Sequence, residues 1–317
     1  MEKLKLSVII CTYNRANLLP EALDSVLSQK TDFDFEIIVG DDASTDGTRN
    51  LLNEYQRKHP DKIVLSLMET NSGIGANWAT ALMKAHGKYV AFLDDDDYWM
   101  DEKRMQIMVD FLENHPEYDV LYTNAVSLDE KTGKRRSISY PSPEEYDAYK
   151  LWKGELPNIQ LNTLMVKKTL VEESINLKDY VEYQFPIQDW NTHILLLRKA
   201  RFAYMDMPTS VLRVTDGSLS RPKTYEQVEA KYKKEKIMCK YLAEQFIDDD
   251  KITFDEVGYD SYIYHILTTV AFQRGDYREA KRFSQLSGDH SMRAKCTKTW
   301  ITFHLYRLAR FLRKTCN

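Results

Sequence analysis

Four short apolar runs punctuate the N-terminal third of the chain: LKLSVIIC (4–11), FEIIVG (35–40), KIVLSLM (62–68) and KYVAFLD (88–94). Segments with helical spacing separate them. NLLPEALDSVLSQ (17–29) lines Leu18, Leu19, Ala22, Val26 and Leu27 along one side, STDGTRNLLNEYQRKH (44–59) opens on Ser and Thr caps, and GANWATALMKAH (75–86) is ended by Gly87. Continuous apolar runs alternating with helices require parallel crossovers, so the spacing predicts a doubly wound α/β sheet buried on both faces. Ligands of such sheets sit beyond the carboxyl ends of the strands. Those ends read TYNR (12–15), DDASTD (41–46), ETNSGIG (69–75) and DDDDYW (94–99), and two of them are stacked with aspartates.

The pattern continues with a helix at 101–115, a strand at 119–128, a strand entering a helix at 159–173, a helix at 188–200 and a late strand at 201–206. Residues 129–158 are charged and Pro-bearing and read as a long excursion over one edge, on the acceptor side of a site. Beyond about Lys223 the chain turns helical, and GDYREA (275–280) hints at a helical hairpin. The expected division is an α/β domain over 1–222 and a helical domain over 223–317 that ends in a basic amphipathic helix.

A net charge of −4 argues against a chain that is basic as a whole, and no nucleic-acid partner is expected. The four cysteines (Cys11, Cys239, Cys296 and Cys316) show neither C-x-x-C spacing nor His pairing, which excludes a zinc reading and fits a reducing, cytoplasmic setting. The N-terminus runs straight into a strand, so no signal peptide is expected, and no apolar run approaches the roughly 20 residues of a membrane span. After Asp289 the chain has no acid but carries Arg293, Lys295, Lys298, Arg307, Arg310, Arg313 and Lys314. Over 293–314 these cations interleave with Trp300, Phe303, Leu308 and Phe311, either to rest on an anionic membrane surface or to pack on the domain or a second subunit.

The quartet Asp94–Asp97 asks for positive charge. Two unit charges about 4 Å apart interact by roughly 4 kcal/mol at an effective dielectric of 20, so four unpaired acids would raise one another's pKa or splay into solvent. A hard cation, Mg²⁺ or Mn²⁺, takes carboxylate oxygens together with substrate phosphates. If the segment stays extended, Asp94 and Asp96 point the same way, while Asp97 caps a helix starting near Met100. The alternative is a solvated acidic turn.

SVIICTYNRANLLPEALDSVLSQ, FEIIVGDDASTDGT, NSGIGANW and GKYVAFLDDDDYW, in that order and spacing, resemble the family 2 glycosyltransferases of the GT-A fold, strongly over residues 4 to 113 and more loosely to 222. The resemblance implies an inverting, metal-dependent transferase acting on a nucleotide-diphosphate sugar (a UDP-sugar) and a glycan or lipid-linked acceptor in bacterial surface-polysaccharide assembly. It assigns Thr12, Tyr13, Asn14 and Arg15 to the base and phosphates, Asp42 with Asp41 to the uracil N–H edge, Asp94 and Asp95 to ribose and diphosphate, and Asp96 to Mn²⁺ or Mg²⁺. Asn77 falls in a segment crossing near the nucleotide.

The same resemblance implies that Asp189, in FPIQDWNTHILLLR, is the catalytic base, with Gln188 where the family has Glu. It also places Arg213 in a loop over the diphosphate, with Thr215 where His often lies and a further metal ligand correspondingly in doubt. Structural alternatives stand beside each assignment: Tyr13 packs on the sheet edge, Asn14 or Asp189 caps a helix, Asp41 satisfies loop amides, Arg213 forms a surface ion pair. Two other functions remain in view. A nucleotidyltransferase would show a Gly-rich, Lys-bearing loop after the first strand, which CTYNRANLL lacks, and a non-catalytic glycan-binding relative could lose the base or the metal acid. A dinucleotide oxidoreductase is disfavoured, because no G-x-G-x-x-G follows the first strand.

Overall fold

The computed structural model describes residues 4–186, 189–214, 224–246 and 252–287. Gln188, Thr215, Cys296, Cys316 and the basic segment 293–314 lie outside them. Contacts divide the chain into two units, Met1–Leu219 and Ser220–Asn317.

The first unit follows the alternation. Strands β1 (Leu6–Thr12), β2 (Phe35–Asp41), β3 (Ile63–Leu67) and β4 (Tyr89–Asp94) are linked through helices α1 (Leu19–Leu27), α2 (Thr48–Lys58) and α3 (Ile74–Leu82). They pair in parallel in the order β3-β2-β1-β4. Alternate residues serve opposite faces. Leu6, Val8, Ile10, Ala91 and Leu93 join a core with Leu19, Leu23 and Val26 of α1. On the other face Phe92 meets Trp78 of α3, which also packs on Tyr180.

Beyond β4 the sheet stops being purely parallel. A two-residue strand β5 (Tyr98–Trp99) precedes α4 (Arg104–Asn114), then β6 (Val120–Asp129) and β7 (Arg135–Ile138) form a hairpin. A 3-10 turn at Pro143–Glu145 and a short α5 (Ala148–Trp152) complete the predicted excursion. A second 3-10 turn, Leu161–Thr163, leads into β8 (Leu164–Lys167), α6 (Lys168–Ser174), α7 (Leu177–Tyr183), α8 (Asp189–Leu196) and β9 (Phe202–Val214). β8 is wedged antiparallel between β4 and β6, β9 runs parallel to β6, and β5 closes antiparallel on β9. The result is a nine-stranded mixed sheet, mostly parallel, flanked by helices.

Three expectations need correction here. The late strand runs eight residues past its expected end at Asp206, to Val214. Pro208 has no N–H for a ladder, but it sits where the β6–β9 register shifts, and a bulge tolerates it. The acidic quartet is not extended, because the Asp97 N–H bonds back to the Asp94 carbonyl at 3.1 Å and folds it into a turn. Asp97 caps no helix: its buried carboxylate accepts from Asn162 Nδ2 and from the Arg213 N–H, while Asp101 accepts from the Lys103 N–H at the start of α4.

In the second unit, α9 (Tyr225–Gln245) starts on a Thr224–Gln227 capping box, and α10 (Glu256–Arg274) and α11 (Tyr277–Leu286) start on Asp255 and Asp276. Gly275, at φ 77°, takes the left-handed conformation that ends α10 and reverses the chain into the hairpin that GDYREA suggested. Val228, Ile263, Leu267, Ala271, Ala280 and Phe283 form a separate small core. Among the described residues no helix is long and apolar enough to cross a membrane.

Candidate active site

The register of the parallel strands aligns their carboxyl ends: Thr12 stands beside Asp41, and Cys11 beside Asp94. Two aspartate-bearing loops therefore open on one edge. The Cys11 thiol registers this crowding, since burial and then Asp94, Asp95 and Asp42 push its pKa well above the usual thiol range.

At the end of β2 the polar groups answer one another. Asp41 Oδ2 accepts from Arg49 Nε at 2.6 Å and from the Ser44 N–H at 3.2 Å, while its buried Oδ1 has no hydrogen-bond partner. Asp42 receives the N–H groups of Ser72 (2.7 Å) and Gly73 (2.9 Å), one on each oxygen. Asn14 adopts φ 54°, a conformation Asn tolerates better than most residues, and its Oδ1 accepts the Thr45 N–H at 2.8 Å. Its own N–H goes to Ser44 Oγ, so Asn14 sews the β1–α1 loop to the β2–α2 loop. Asn77 is buried, with Nδ2 on the Gly40 carbonyl at 3.0 Å. That close approach needs glycine, because a Cβ at Gly40 would lie 2.5 Å from Asn77 Oδ1. Asn14 and Asn77 thus tie together the loops and strands that frame the site.

At the end of β4 the balance is different. Burial, with Asp96, Asp189 and Asp95 close by, pushes Asp94 up to about 7. Burial likewise carries Asp95 to about 7, with the Tyr13 N–H and the Arg15 guanidinium pulling the other way. Asp96 is raised by burial against the pull of Arg15, and Asp97 well above the carboxylate range by burial, Asp94 and Asp96. Arg15 approaches Asp95 and Asp96 only to 4.0 Å. Tyr13 is exposed at the mouth of this cluster.

Asp189 opens α8 and lies near enough to Asp94 to raise its pKa, which brings a residue distant in sequence onto the acidic cluster. Its Oδ1 takes the Trp190 N–H and its Oδ2 takes Asn158 Nδ2, both at 2.8 Å. Asn158 Oδ1 in turn faces His193 Nδ1 at 2.8 Å. Arg213 lies on β9, paired with Glu21 and Glu130 and with its guanidinium over the Tyr98 ring, instead of in a loop.

Sequence reasoning missed Asn158, His193 and the buried hub around Asn162. The Asn162 carbonyl accepts from Trp99 Nε1, Arg104 Nη2 and Ser210 Oγ. Arg104 is wholly buried, with its guanidinium 4.1 Å from the centre of the Trp99 ring, and burial lowers its pKa to about 9. A basic residue in the first turn of an amphipathic helix carries no signal that it will be buried. The partners that bury it come from β9 and from the turn before β8.

A divalent cation fits the chemistry of the β4 end. Its donors are hard carboxylate oxygens whose charged forms are disfavoured by burial and by one another, which an added cation would reverse. Among the described residues, no group of three or more His, Cys, Asp or Glu side chains is arranged to hold a metal by itself. One or two carboxylates completed by substrate phosphates is the usual share of a protein in a Mg²⁺ site. Asp96 would hold the ion.

Comparison with known proteins agrees with this architecture. The Bacillus subtilis protein named for teichuronic acid biosynthesis as the glycosyltransferase TuaG is 31% identical over 227 residues, covering 68% of this chain and 82% of its own. An uncharacterized protein of Mycobacterium bovis is 38% identical over 117 residues, 37% of this chain, and the chain spans only 34% of that relative's length. Among solved structures, Staphylococcus aureus TarS 1–349 in complex with UDP-GlcNAc superposes with a TM-score of 0.58 at 24% identity, over 84% of this chain and 73% of that 1–349 chain. The mannosyltransferase PcManGT of Pyrobaculum calidifontis, in complex with GDP-Man and Mn²⁺, gives 0.53 at 19% identity, over 94% and 84%. At these identities the two structures speak for the fold, a GT-A-like one. The model of glycosyl transferase family 2 matches residues 7–174, more than half of the chain, and the chain belongs to that family.

Proposed function

We propose that this chain is an inverting, metal-dependent transferase that moves a sugar from a nucleotide diphosphate, a UDP-sugar, to a hydroxyl of a glycan or lipid-linked acceptor in surface-polysaccharide assembly. The observation that carries the reading is the electrostatic proximity of Asp189 to Asp94, which sets a carboxylate base against a carboxylate cluster suited to a cation and a diphosphate. The UDP-GlcNAc complex of TarS, the Mn²⁺ complex of PcManGT and the name of TuaG support donor, metal and setting in turn.

In this reading Tyr13 stacks on the base, with Thr12 beside it, and Asp41 Oδ1, buried and unpartnered, accepts from the base's N–H edge while Asp42 holds the loop that closes the pocket floor. Asp94 and Asp95 take ribose and diphosphate, and Asp96 the cation. When bound, the cation neutralises the diphosphate as it leaves. Arg15, already close to Asp95 and Asp96, adds a second positive charge on that side. Asp189 removes the proton from the acceptor hydroxyl as its oxygen bonds to the anomeric carbon, and the bond from that carbon to the diphosphate breaks on the opposite face. A base so placed contributes about 10²- to 10⁴-fold. The domain division at about residue 222, cytoplasmic placement, and membrane or subunit contacts through the basic C-terminal segment belong to the same proposal.

Titration calorimetry with UDP and Mn²⁺ tests it. Asp96→Ala is expected to abolish Mn²⁺-dependent UDP binding, and unchanged affinity would remove Asp96 from the cation. Asp189→Asn is expected to bind UDP and Mn²⁺ normally yet lose transfer by about 10²-fold or more. Near-normal turnover in that variant would end the base assignment.

A further inference from the structure

We propose that His193 and Asn158 form a two-link hydrogen-bond relay that aims the Asp189 carboxylate, which makes both of them positioning residues for sugar transfer. The proposal rests on Asp189 being the base.

Asp189 and His193 lie one turn apart on α8, four residues apart and so on the same side of the helix. Asn158, from the loop after α5, reaches in between them. An ionised carboxylate can only accept, so the Asn158 amide must turn its NH₂ toward Asp189 Oδ2, 2.8 Å away. Its oxygen then faces His193 Nδ1 at 2.8 Å, which requires that nitrogen to carry the hydrogen. The far ring nitrogen, Nε2, is buried without a partner. A proton there would have no acceptor, in keeping with burial lowering the His193 pKa to about 3. His193 therefore stays neutral, and its Nδ1–H is a fixed donor that prevents the Asn158 amide from flipping. With the Trp190 N–H on Oδ1, each oxygen of Asp189 has a donor and the plane of the carboxylate is set. A helix-opening aspartate that served only as a cap would not need a second side chain held in one orientation by a third.

The test separates aim from folding. Donor turnover is read as UDP release from UDP-GlcNAc and UDP-glucose, and binding as UDP with Mn²⁺ by calorimetry. Asn158→Ala is expected to lower kcat about 10- to 100-fold, the loss of a hydrogen bond to a charged group, with KM and UDP affinity unchanged. His193→Leu should lower kcat by a smaller factor, and His193→Asn, whose Nδ2–H comes near the place of Nδ1–H, should restore most of it. The double variant Asn158→Ala/His193→Leu should be no slower than Asn158→Ala. Wild-type kcat in Asn158→Ala, a parallel fall in UDP affinity, or a His193→Asn variant as slow as His193→Leu would each overturn the relay. Nitrogen-15 NMR of labelled histidine decides independently of turnover: the neutral Nδ1–H tautomer of His193 is expected, and the Nε2–H tautomer would refute it. Normal turnover in Asp189→Asn would remove the base reading itself, whereas an inactive Asp189→Asn beside a fully active Asn158→Ala would remove only the relay.

Discussion

The ends of β2 and β4 are both runs of aspartate at the close of a buried parallel strand, and the fold treats them oppositely. At β2, Asp41 meets Arg49 and the Ser44 N–H, and Asp42 meets two backbone N–H groups. At β4, Asp94 and Asp95 are raised to about 7 by burial and by the neighbouring Asp96, and Arg15 stands 4.0 Å from Asp95 and Asp96. The first pair is an anchor that joins loops. The second is a charge deficit kept inside the protein. Identical letters thus meet opposite electrostatic settings in the two loops, and what separates them is the supply of hydrogen-bond donors.

Four experiments break or sharpen this contrast. Asp41→Ala strands Arg49 and the Ser44 N–H and should cost about 3 kcal/mol in denaturant unfolding, at the low end for a broken buried pair because Arg49 can turn partly to solvent. A loss below about 1 kcal/mol would mean that the β2 carboxylate is not an anchor. Gly40→Ala should cost about 2 kcal/mol by driving the Asn77 amide off the Gly40 carbonyl, as overpacking does, and its thermal midpoint should fall accordingly.

The third experiment concerns pH. His193 has a folded pKa of about 3, below its value near 6.5 in the unfolded chain, so unfolding takes up a proton between these limits. Its contribution is fully present above about pH 6.5 and is lost as pH falls toward 3. The raised pKa values of Asp94 and Asp95 act in the opposite sense over pH 7 to 4, stabilising the fold as pH drops. Measured as wild type minus His193→Leu, the carboxylate contribution cancels, and the stability difference should shrink by about 1.4 kcal/mol per pH unit below pH 6.5. A flat difference would mean that His193 is charged or solvated in the fold. The smallest effect belongs to the β4 end. Asp95→Asn should raise the thermal midpoint of the ligand-free protein by about 2–4 °C at neutral pH or above, for about 1 kcal/mol of relieved burial, while weakening UDP–Mn²⁺ binding. A lower midpoint would put Asp95 in the same class as Asp41.

Much of the architecture was legible. The periodicity that separates IIVG from NLLNEYQ depends on neighbours within one turn or strand, so β1 to β4, their helices and the α/β class follow from local pattern. The length of β9 beyond Asp206 was not legible, because the irregularity that accommodates Pro208 exists only in the pairing with β6. Asp94 to Asp96 were legible as a cluster, but whether they stay extended or turn was not, and the cap reading of Asp97 set a helix start near Met100 where the short β5 intervenes. Asn158 and His193 gave no local signal, since their meaning lies in a contact 35 residues apart.

By itself the sequence determined what is set within a strand, a helical turn or a loop: the alternation, the strand-end polar loops and the crowding of four acids. The tertiary structure alone decided which carboxylates find donors. Hydrogen bonding and desolvation depend on the atoms brought alongside, and Arg49, Asn158, Asn162 and Asp189 reach their partners only after the sheet has closed its order.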